Sequence, residues 1–479
     1  MSSGIINGDI REYLFPHLAT SPLNECTRGD GINGGAIAGE VIFSAEKARG
    51  VASPIFFHYD RNPQEVESIY ASNGYVTLTK MAPGAHPVIL SKIKGIPVIM
   101  NAKGRFREGE AVTIDGITGK IYRGQLEIRE AKEIPKKLEE LLDNIERPRV
   151  RSLMVLPDDP VPFTRFNCEG VGPFATEYMF YQNGQLEAFQ RLILLGDRES
   201  KNLINKYQKE SFCKILKMAN GKPVAIRYFD PPLHEFLPST ATSIDALAEK
   251  LNIPSQELGT RVNDLREENP AFGYRGSRIG IVQSDIYRMQ TEVIFEAVEE
   301  VQNAGFTVDL ELIYPLICDH REIDQLNELV LYPVADERRN IKYKLGIMVE
   351  LPSACLDGAE IAKRVQTISF GTNDLTQTAL GISRDDSQHY IDYYISQGIF
   401  RRNPFRTLHP QVARLMKIFI DEAKSVNKGL KIGICGAHAS DQESLESLES
   451  LGVRMDYLSV MPYSVIQTKL AAAGVQAYA

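Results

Sequence analysis

Glu350 in "GIMVELP" and Asp374 in "FGTNDLTQ" place two carboxylates at the ends of neighbouring apolar runs, with no cysteine or histidine joining them. Oxygen-only ligation suits a hard divalent cation, Mg2+ or Mn2+, held by one or two carboxylates, water and the substrate. The plainer alternative is that each carboxylate caps the following helix or pairs with an arginine. Arg227 in "AIRYFD" and Arg275 in "FGYRGSRIG" supply the opposite charge. A guanidinium fork matches phosphate or carboxylate oxygens in pairs, or ends in an ordinary salt bridge. Cys435 in "KIGICGAHAS" ends another apolar run, ahead of a helix start that carries the capping-box pair Ser440 and Glu443. A thiol near a helix N-terminus and cations can have a lowered pKa and exchange protons, whereas most buried cysteines are small hydrophobes. Together these residues describe a pocket for an anionic, metal-chelating molecule.

Such groups need strands to carry them. "ISFGTNDLTQ" reads as a short buried strand that runs straight into a glycine, an amide and a carboxylate. From about residue 151 onward, apolar strands such as "PVAIRYFD", "VDLELIYPLI", "KLGIMVE" and "LKIGICG" alternate with amphipathic helices. Repeated βα units imply a parallel sheet. No Gly-rich dinucleotide fingerprint follows the strands, and Arg227, Glu350, Asn373 with Asp374, and Cys435 stand at four separate strand ends. A (β/α)8 TIM barrel gathers such groups at one mouth.

The expected layout is α/β, with a small β-rich domain over 1–122, a helical linker over 123–150 and the barrel over 151–479. The small domain should hold short strands from residue 34 and one helix around Pro87 to Lys94, with the first 30 residues as an extension. In the linker, Ile134, Leu138, Leu141, Leu142 and Ile145 form an apolar stripe at helical spacing.

The 479 residues are 43% hydrophobic and carry a formal net charge of −8 without a long basic run, which argues against nucleic acid or an anionic membrane as the main partner. No apolar run approaches the roughly 20 residues that span a bilayer, and "MSSGIINGDIREYLF" lacks a signal-peptide pattern, so the expected location is the cytoplasm. The six cysteines are widely spaced with no CxxC pair, so buried thiols are expected.

The segments "GKPVAIRYFDPPLHEFLP", "NPAFGYRGSRIGI", "YKLGIMVELPSA", "SFGTNDLTQTALGISRDD" and "KIGICGAH" resemble the C-terminal half of pyruvate, phosphate dikinase, of the phosphoenolpyruvate-utilising family. Phosphoenolpyruvate synthase and enzyme I of the sugar phosphotransferase system belong to the same group. The resemblance runs in order from about residue 165 to the end. It implies a barrel that binds phosphoenolpyruvate and pyruvate, with Glu350 and Asp374 holding Mg2+ and Arg227 and Arg275 gripping the phosphoryl group. Gly371, Thr372 and Asn373 would seat the substrate, Arg384 in "GISRDD" would be a further pocket arginine, and Cys435 would protonate the methylene carbon of the enolate. A homodimer through the barrel is also implied.

The stretch "VTLTKMAPGAHPVILSKIKGIPVIM" is similar to the mobile phosphohistidine domain of the family, with His86 at the place of the nucleophile. The surrounding loop departs from the family pattern GGxTSHxAIxAR. Met81 and Ala82 replace its glycines, Gly84 its threonine, Ala85 its serine and Lys92 its arginine. Likewise "EGVGPFATEYMF" resembles GIGLxRTExMF but has Ala175 in place of an arginine, with Arg165 nearby in sequence. One charge-assisted bond to phosphate is worth on the order of 1.5–3 kcal/mol.

The family's complete dikinases have an ATP-grasp domain ahead of these two, so a separate ATP-grasp subunit or another phosphoacceptor is the expected partner. The leading expectation is a phosphotransferase that exchanges a phosphoryl group between phosphoenolpyruvate and His86. The alternatives are a Mg-dependent lyase or mutase acting on a pyruvate-like acid without the histidine, and a non-catalytic regulator that binds phosphoenolpyruvate.

Overall fold

The computed structural model describes residues 11–20, 25–59, 65–81, 86–143, 148–154, 161–181, 184–238, 240–267, 269, 272–384 and 387–472. The chain divides into two compact units: Met1–Arg147 with Ser383–Asn403 and Met461–Ala479, and Pro148–Ile382 with Pro404–Val460. It therefore passes from one unit to the other at 147–148, 382–383, 403–404 and 460–461.

In the first unit an eight-stranded sheet runs in the order Thr27–Arg28, Lys120–Arg123, Ala111–Asp115, Ala36–Ile42, Pro54–His58, Gly74–Thr77, Val98–Met100 and Asp30–Asn33. The parallel neighbours in its centre are joined through the helices Glu65–Tyr70 and His86–Lys94, as parallel pairing requires. Val41, Ile55, Phe57, Val76, Ile99, Val112 and Ile114 form its core. The stretch from 27 to 33 is built into this sheet and is not an appendage, because its short strands pair with the distant segments around Ile121 and Met100. Of the apolar stripe, Leu138, Leu141 and Leu142 lie in a helix from Lys136 to Asp143, with Leu138 and Leu142 buried, while Ile134 precedes the helix and Ile145 lies outside the described residues. Tyr463, beyond the last barrel strand, stacks on Phe15 at 4.8 Å between ring centroids. Its ring lies where a Cβ on Gly95 would be 1.9 Å away, so this position has no room for a side chain.

The second unit is a closed barrel of eight parallel strands: β1 Arg149–Met154, β2 Val171–Ala175, β3 Pro223–Arg227, β4 Asp309–Tyr314, β5 Tyr343–Val349, β6 Thr367–Gly371, β7 Lys431–Cys435 and β8 Tyr457–Val460. Closure is made by β1 against β8, with Arg149 opposite Tyr457. Both faces of such strands are covered, which is why they read as unbroken apolar runs. Outward residues meet the helical ring: Phe370 packs edge-on against Phe419 of the helix Pro410–Val426. Inward residues are layered. At the floor Arg151 pairs with Glu311 and lies 3.8 Å over the ring of Tyr457, whose hydroxyl donates to the carbonyl of Ile368 at 2.8 Å. Above them Ala225, Ile313 and Met348 cluster, with Cys435 packed against them. The mouth is polar. A helical pair, Ala241–Leu251 and Ser255–Asp264, is inserted after β3 over its own apolar cluster. No helix of the described residues is long and apolar enough to cross a membrane.

Candidate active site

Strand register brings the mouth together. Arg227 ends β3 beside Ala175 of β2 and Ile313 of β4, while Gly371 ends β6 beside Cys435 of β7. Glu350 follows β5 directly, and Asp374 lies in the first turn of the helix Thr372–Leu380 that grows out of β6. Asp230 lies three residues past Arg227, and Arg275 precedes the short helix Ser277–Val282. Residues 272–275 belong to no strand, so the guanidinium of Arg275 is placed by contacts.

Arg275 bridges two carboxylates. Its Nη2 donates to Asp230 Oδ2 at 2.6 Å and its Nε to Asp230 Oδ1 at 3.3 Å, while Nη1 reaches Asp374 Oδ1 at 3.5 Å. Arg227 donates through Nη2 to Glu177, and its Nη1 is 3.6 Å from Asp230 Oδ2. Two polar atoms of that pair, Arg227 Nε and Glu177 Oε2, are buried without a hydrogen-bond partner. Burial opposes the charge of both arginines, but the surrounding carboxylates outweigh it and hold them above the ordinary arginine value. Burial pushes the Glu177 carboxyl up despite Arg227.

Glu350 is 1% exposed. Its Oε1 accepts from the backbone N–H of Leu316 at 2.7 Å. Burial, together with repulsion from Asp230 and Asp374, pushes its carboxyl up to about 8. Its other oxygen occupies the room left by a glycine: a Cβ on Gly371 would stand 2.4 Å from Glu350 Oε2. These residues fit a hard divalent cation. They offer oxygen donors only, they hold a buried acid under negative potential, and the missing side chain of Gly371 makes room for Glu350 Oε2. An ion shared by Glu350 and Asp374 would compete with Arg275 for Asp374. The tightest set of metal-donor side chains among the described residues lies elsewhere, at Asp319, His320 and Asp357. There Arg321 holds both oxygens of Asp319, at 2.8 and 2.6 Å.

Cys435 donates from Sγ to the carbonyl of Phe370 at 3.4 Å. Its pKa is raised, not lowered as its setting in the sequence suggested. Burial pushes the thiol up to about 12, and Glu350 and Asp374 add to the rise against Arg227. The expected helix start also differs. The helix runs Gln442–Ser450 with Asp441 as its cap, accepting from Ser444 N, and a single 3-10 turn, Ala437–Ser440, separates it from the strand. The thiol therefore lacks a long helix N-terminus directly beside it. Within that turn His438 is fully buried: Nε2 donates to the carbonyl of Pro404 at 2.9 Å, so Nδ1 accepts from the hydroxyl of Thr372 at 2.7 Å. Burial holds this imidazole below its usual pKa. Asn373 faces Gly436, whose Cβ would lie 3.3 Å from the amide nitrogen.

Arg227, Arg275, Glu350, Gly371, Thr372, Asn373, Asp374 and Cys435 thus belong to one barrel end. Arg384 belongs to the segment Ser383–Asn403 of the first unit. His86 is the first residue of the helix His86–Lys94. Its side chain, and residues 82–85 of the altered loop, lie outside the described residues. Ala175 is where the sequence puts it, directly opposite Arg227. Arg165 ends a short helix, with its guanidinium 5.8 Å from the ring of Phe166. The partners Glu177 and Asp230 and the buried His438 did not stand out in the sequence. The available hint was spacing: Asp230 is at i+3 from Arg227, and Glu177 two residues past the end of β2.

Comparison with known proteins follows the same lines. Residues 129–477 match the model of the PEP-utilising enzyme family's PEP-binding domain. The chain is 33% identical over 470 residues to pyruvate, phosphate dikinase of Rickettsia conorii, covering 92% of this chain and 53% of that enzyme. It is 34% identical over 497 residues to the dikinase of Giardia intestinalis, covering 97% and 56%, and 31% identical over 470 residues to that of Clostridium symbiosum, covering 92% and 53%. The chain spans about half the length of these curated relatives. With its barrel, its mouth and this match along most of its length, the chain belongs to the family of PEP-utilising enzymes.

Proposed function

We propose that this protein is a phosphotransferase that moves a phosphoryl group reversibly between phosphoenolpyruvate and His86, with the enolate of pyruvate held in the barrel mouth. The observation that carries this reading is the convergence of a buried Glu350, Asp374, Arg227 and Arg275 with the thiol of Cys435 at one barrel end. Glu350 and Asp374 would hold Mg2+ or Mn2+, which when bound offsets the negative charge of the enolate oxygen. Arg227 and Arg275 keep their charge in burial and orient the anionic substrate. Backbone N–H groups at the start of the helix Thr372–Leu380 face the same end and suit its carboxylate.

Cys435 rests as a thiol, the form that can donate. Its S–H bond breaks as a C–H bond forms at the methylene carbon, the enolate becomes a ketone and the negative charge moves to sulfur. In reverse the thiolate takes a proton from the methyl group of pyruvate. An unprotonated ring nitrogen of His86 attacks phosphorus, and the phosphoryl group passes on to a separate acceptor or ATP-binding partner.

A second reading keeps the enolate chemistry and drops the histidine, as in a Mg-dependent lyase or mutase acting on a pyruvate-like acid. It is favoured by Ala175 beside Arg227 and by the engagement of Arg227 with Glu177. Incubation with 32P-labelled phosphoenolpyruvate and Mg2+ separates the two. Acid-labile label on the wild type and none on His86→Ala is the expected result. An unlabelled wild type that still releases pyruvate would favour the second reading, and binding without turnover a regulator.

A further inference from the structure

The pairing of β2 with β3 ends at Ala175 opposite Arg227. Past that point the chain still has buried backbone groups to satisfy, and the helix Ser284–Asn303 of the outer ring supplies partners for them. Gln290 is the centre of this contact and is fully buried. Its Oε1 accepts from the backbone N–H of Phe229 at 3.0 Å; an N–H can only donate, so the orientation of the amide is fixed. Its Nε2 then donates to the hydroxyl of Thr176 at 3.1 Å, and that hydroxyl donates to the carbonyl of Arg227 at 3.1 Å. From the same helix Tyr287 donates to the carbonyl of Phe229 at 2.5 Å, and the hydroxyls of Thr291 and Tyr228 lie 2.8 Å apart.

Thr176 runs directly into Glu177, the carboxylate that Arg227 engages. One amide therefore ties the backbones of both members of that pair while bonding to neither charged group. The pair does not fix itself, because Arg227 Nε and Glu177 Oε2 are buried without hydrogen-bond partners. A leucine or methionine at 290 would fill the helix face without desolvating an amide, so the bonds to Phe229 and Thr176 are what this residue type adds.

We propose that Gln290 is a positioning residue for Arg227, holding the ends of β2 and β3 so that the guanidinium meets the phosphoryl group of the substrate. The proposal rests on the phosphotransferase reading for what Arg227 binds, but the clamp on the backbone stands without it. Gln290 takes no part in making or breaking bonds, and its effect on the reaction passes through Arg227 and Glu177.

The test is a double-mutant cycle between Gln290→Met and Arg227→Met, read as exchange of radiolabelled pyruvate into phosphoenolpyruvate with Mg2+, which needs no acceptor beyond His86. Gln290→Met keeps the length of the side chain without its hydrogen bonds and should slow exchange by about tenfold to a hundredfold, since a misplacement of about 1 Å suffices for that. In the Arg227→Met background the same substitution should change the rate by less than about twofold, because nothing remains to be positioned. Thr176→Val should reproduce the loss, and Thr176→Ser, which keeps the hydroxyl, should retain wild-type exchange. Val298→Ala, at a buried position further along the same helix, is the control for stability alone: it should lower the urea midpoint and leave exchange unchanged. Wild-type exchange in Gln290→Met, or a loss that is undiminished in the Arg227→Met background, overturns the proposal. Crystal structures of wild type and Gln290→Met judge the clamp without any substrate. If the wild type exchanges nothing while Arg227 has left Glu177 in Gln290→Met, the phosphotransferase reading fails and the clamp stands. An Arg227 that keeps its bond to Glu177 in that variant overturns the clamp whatever the exchange shows.

Discussion

At the floor of the barrel Arg151 meets Glu311 through two parallel hydrogen bonds of 2.6 and 3.0 Å, with Tyr457 stacked on the guanidinium. At the mouth Arg227 meets Glu177 through one nitrogen, leaving Arg227 Nε and Glu177 Oε2 without partners. Both pairs are buried and both join an arginine to a glutamate. The floor pair is closed on itself, so its charge has nothing further to do than fill and align the barrel. The mouth pair is open, and it shares its arginine with Asp230. Incomplete satisfaction in an otherwise well-packed interior marks the end where a ligand is expected to finish the hydrogen bonding.

The largest effect should come from breaking the closed pair. Glu311→Leu alone strands a buried guanidinium and should lower stability by about 3–5 kcal/mol in urea unfolding, while adding Arg151→Met should restore much of the loss. Arg227→Met at the mouth should behave differently. It should cut turnover of phosphoenolpyruvate by about 10²–10³, with a smaller loss in the urea midpoint, because Glu177 is already pushed towards its neutral form. Equal stability losses at the two ends would erase the distinction between them.

Gly371→Ala sharpens the contrast from the side of space. Its methyl would meet Glu350 Oε2 at 2.4 Å, so a strain of about 1–3 kcal/mol is expected. Titration calorimetry with Mn2+ should show the affinity reduced by about tenfold or more; undiminished affinity would remove Glu350 from the candidate ligands. The smallest effect concerns His438. Folding lowers its pKa below the unfolded value of about 6.5, so the unfolded chain binds more protons as the medium becomes acidic. Its contribution is complete above about pH 6.5 and is lost as pH falls towards the folded pKa, by no more than about 1.4 kcal/mol per pH unit. His438→Asn should flatten that part of the stability curve, measured by urea unfolding at a series of pH values.

The strand ends were legible because a parallel barrel writes each strand as an apolar run and then halts it at a polar residue, as "GIMVE" and "KIGIC" do. That pattern was enough to pick out Arg227, Glu350, Asp374 and Cys435. The pairing of Arg227 with Glu177 was not legible, since it depends on register across two strands and on how deep Glu177 sinks. The direction in which the Cys435 pKa moves was misread for a similar reason. Local sequence shows the turn after the strand, but the dominant influence is burial, to which residues of β3, β4, β5 and β6 contribute. Ser440 and Glu443 imitate a capping pair, whereas Asp441 takes the cap one residue later with its own carboxylate. In the first unit, residues 27–33 gave weak signals because strands this short are defined by their partners near Ile121 and Met100.

The repeated passage of the chain between its two units bears on how such a molecule can be inherited. A recombination event at the codon for Arg147 would transmit a sheet whose Gly95 and Phe15 have lost the tyrosine ring supplied by residue 463. The recipient gene would gain a barrel with two foreign segments, 383–403 and 461–479, sewn into it. Shuffling by a single crossover is therefore penalised at either end, and the two halves should travel through lineages as one heritable piece.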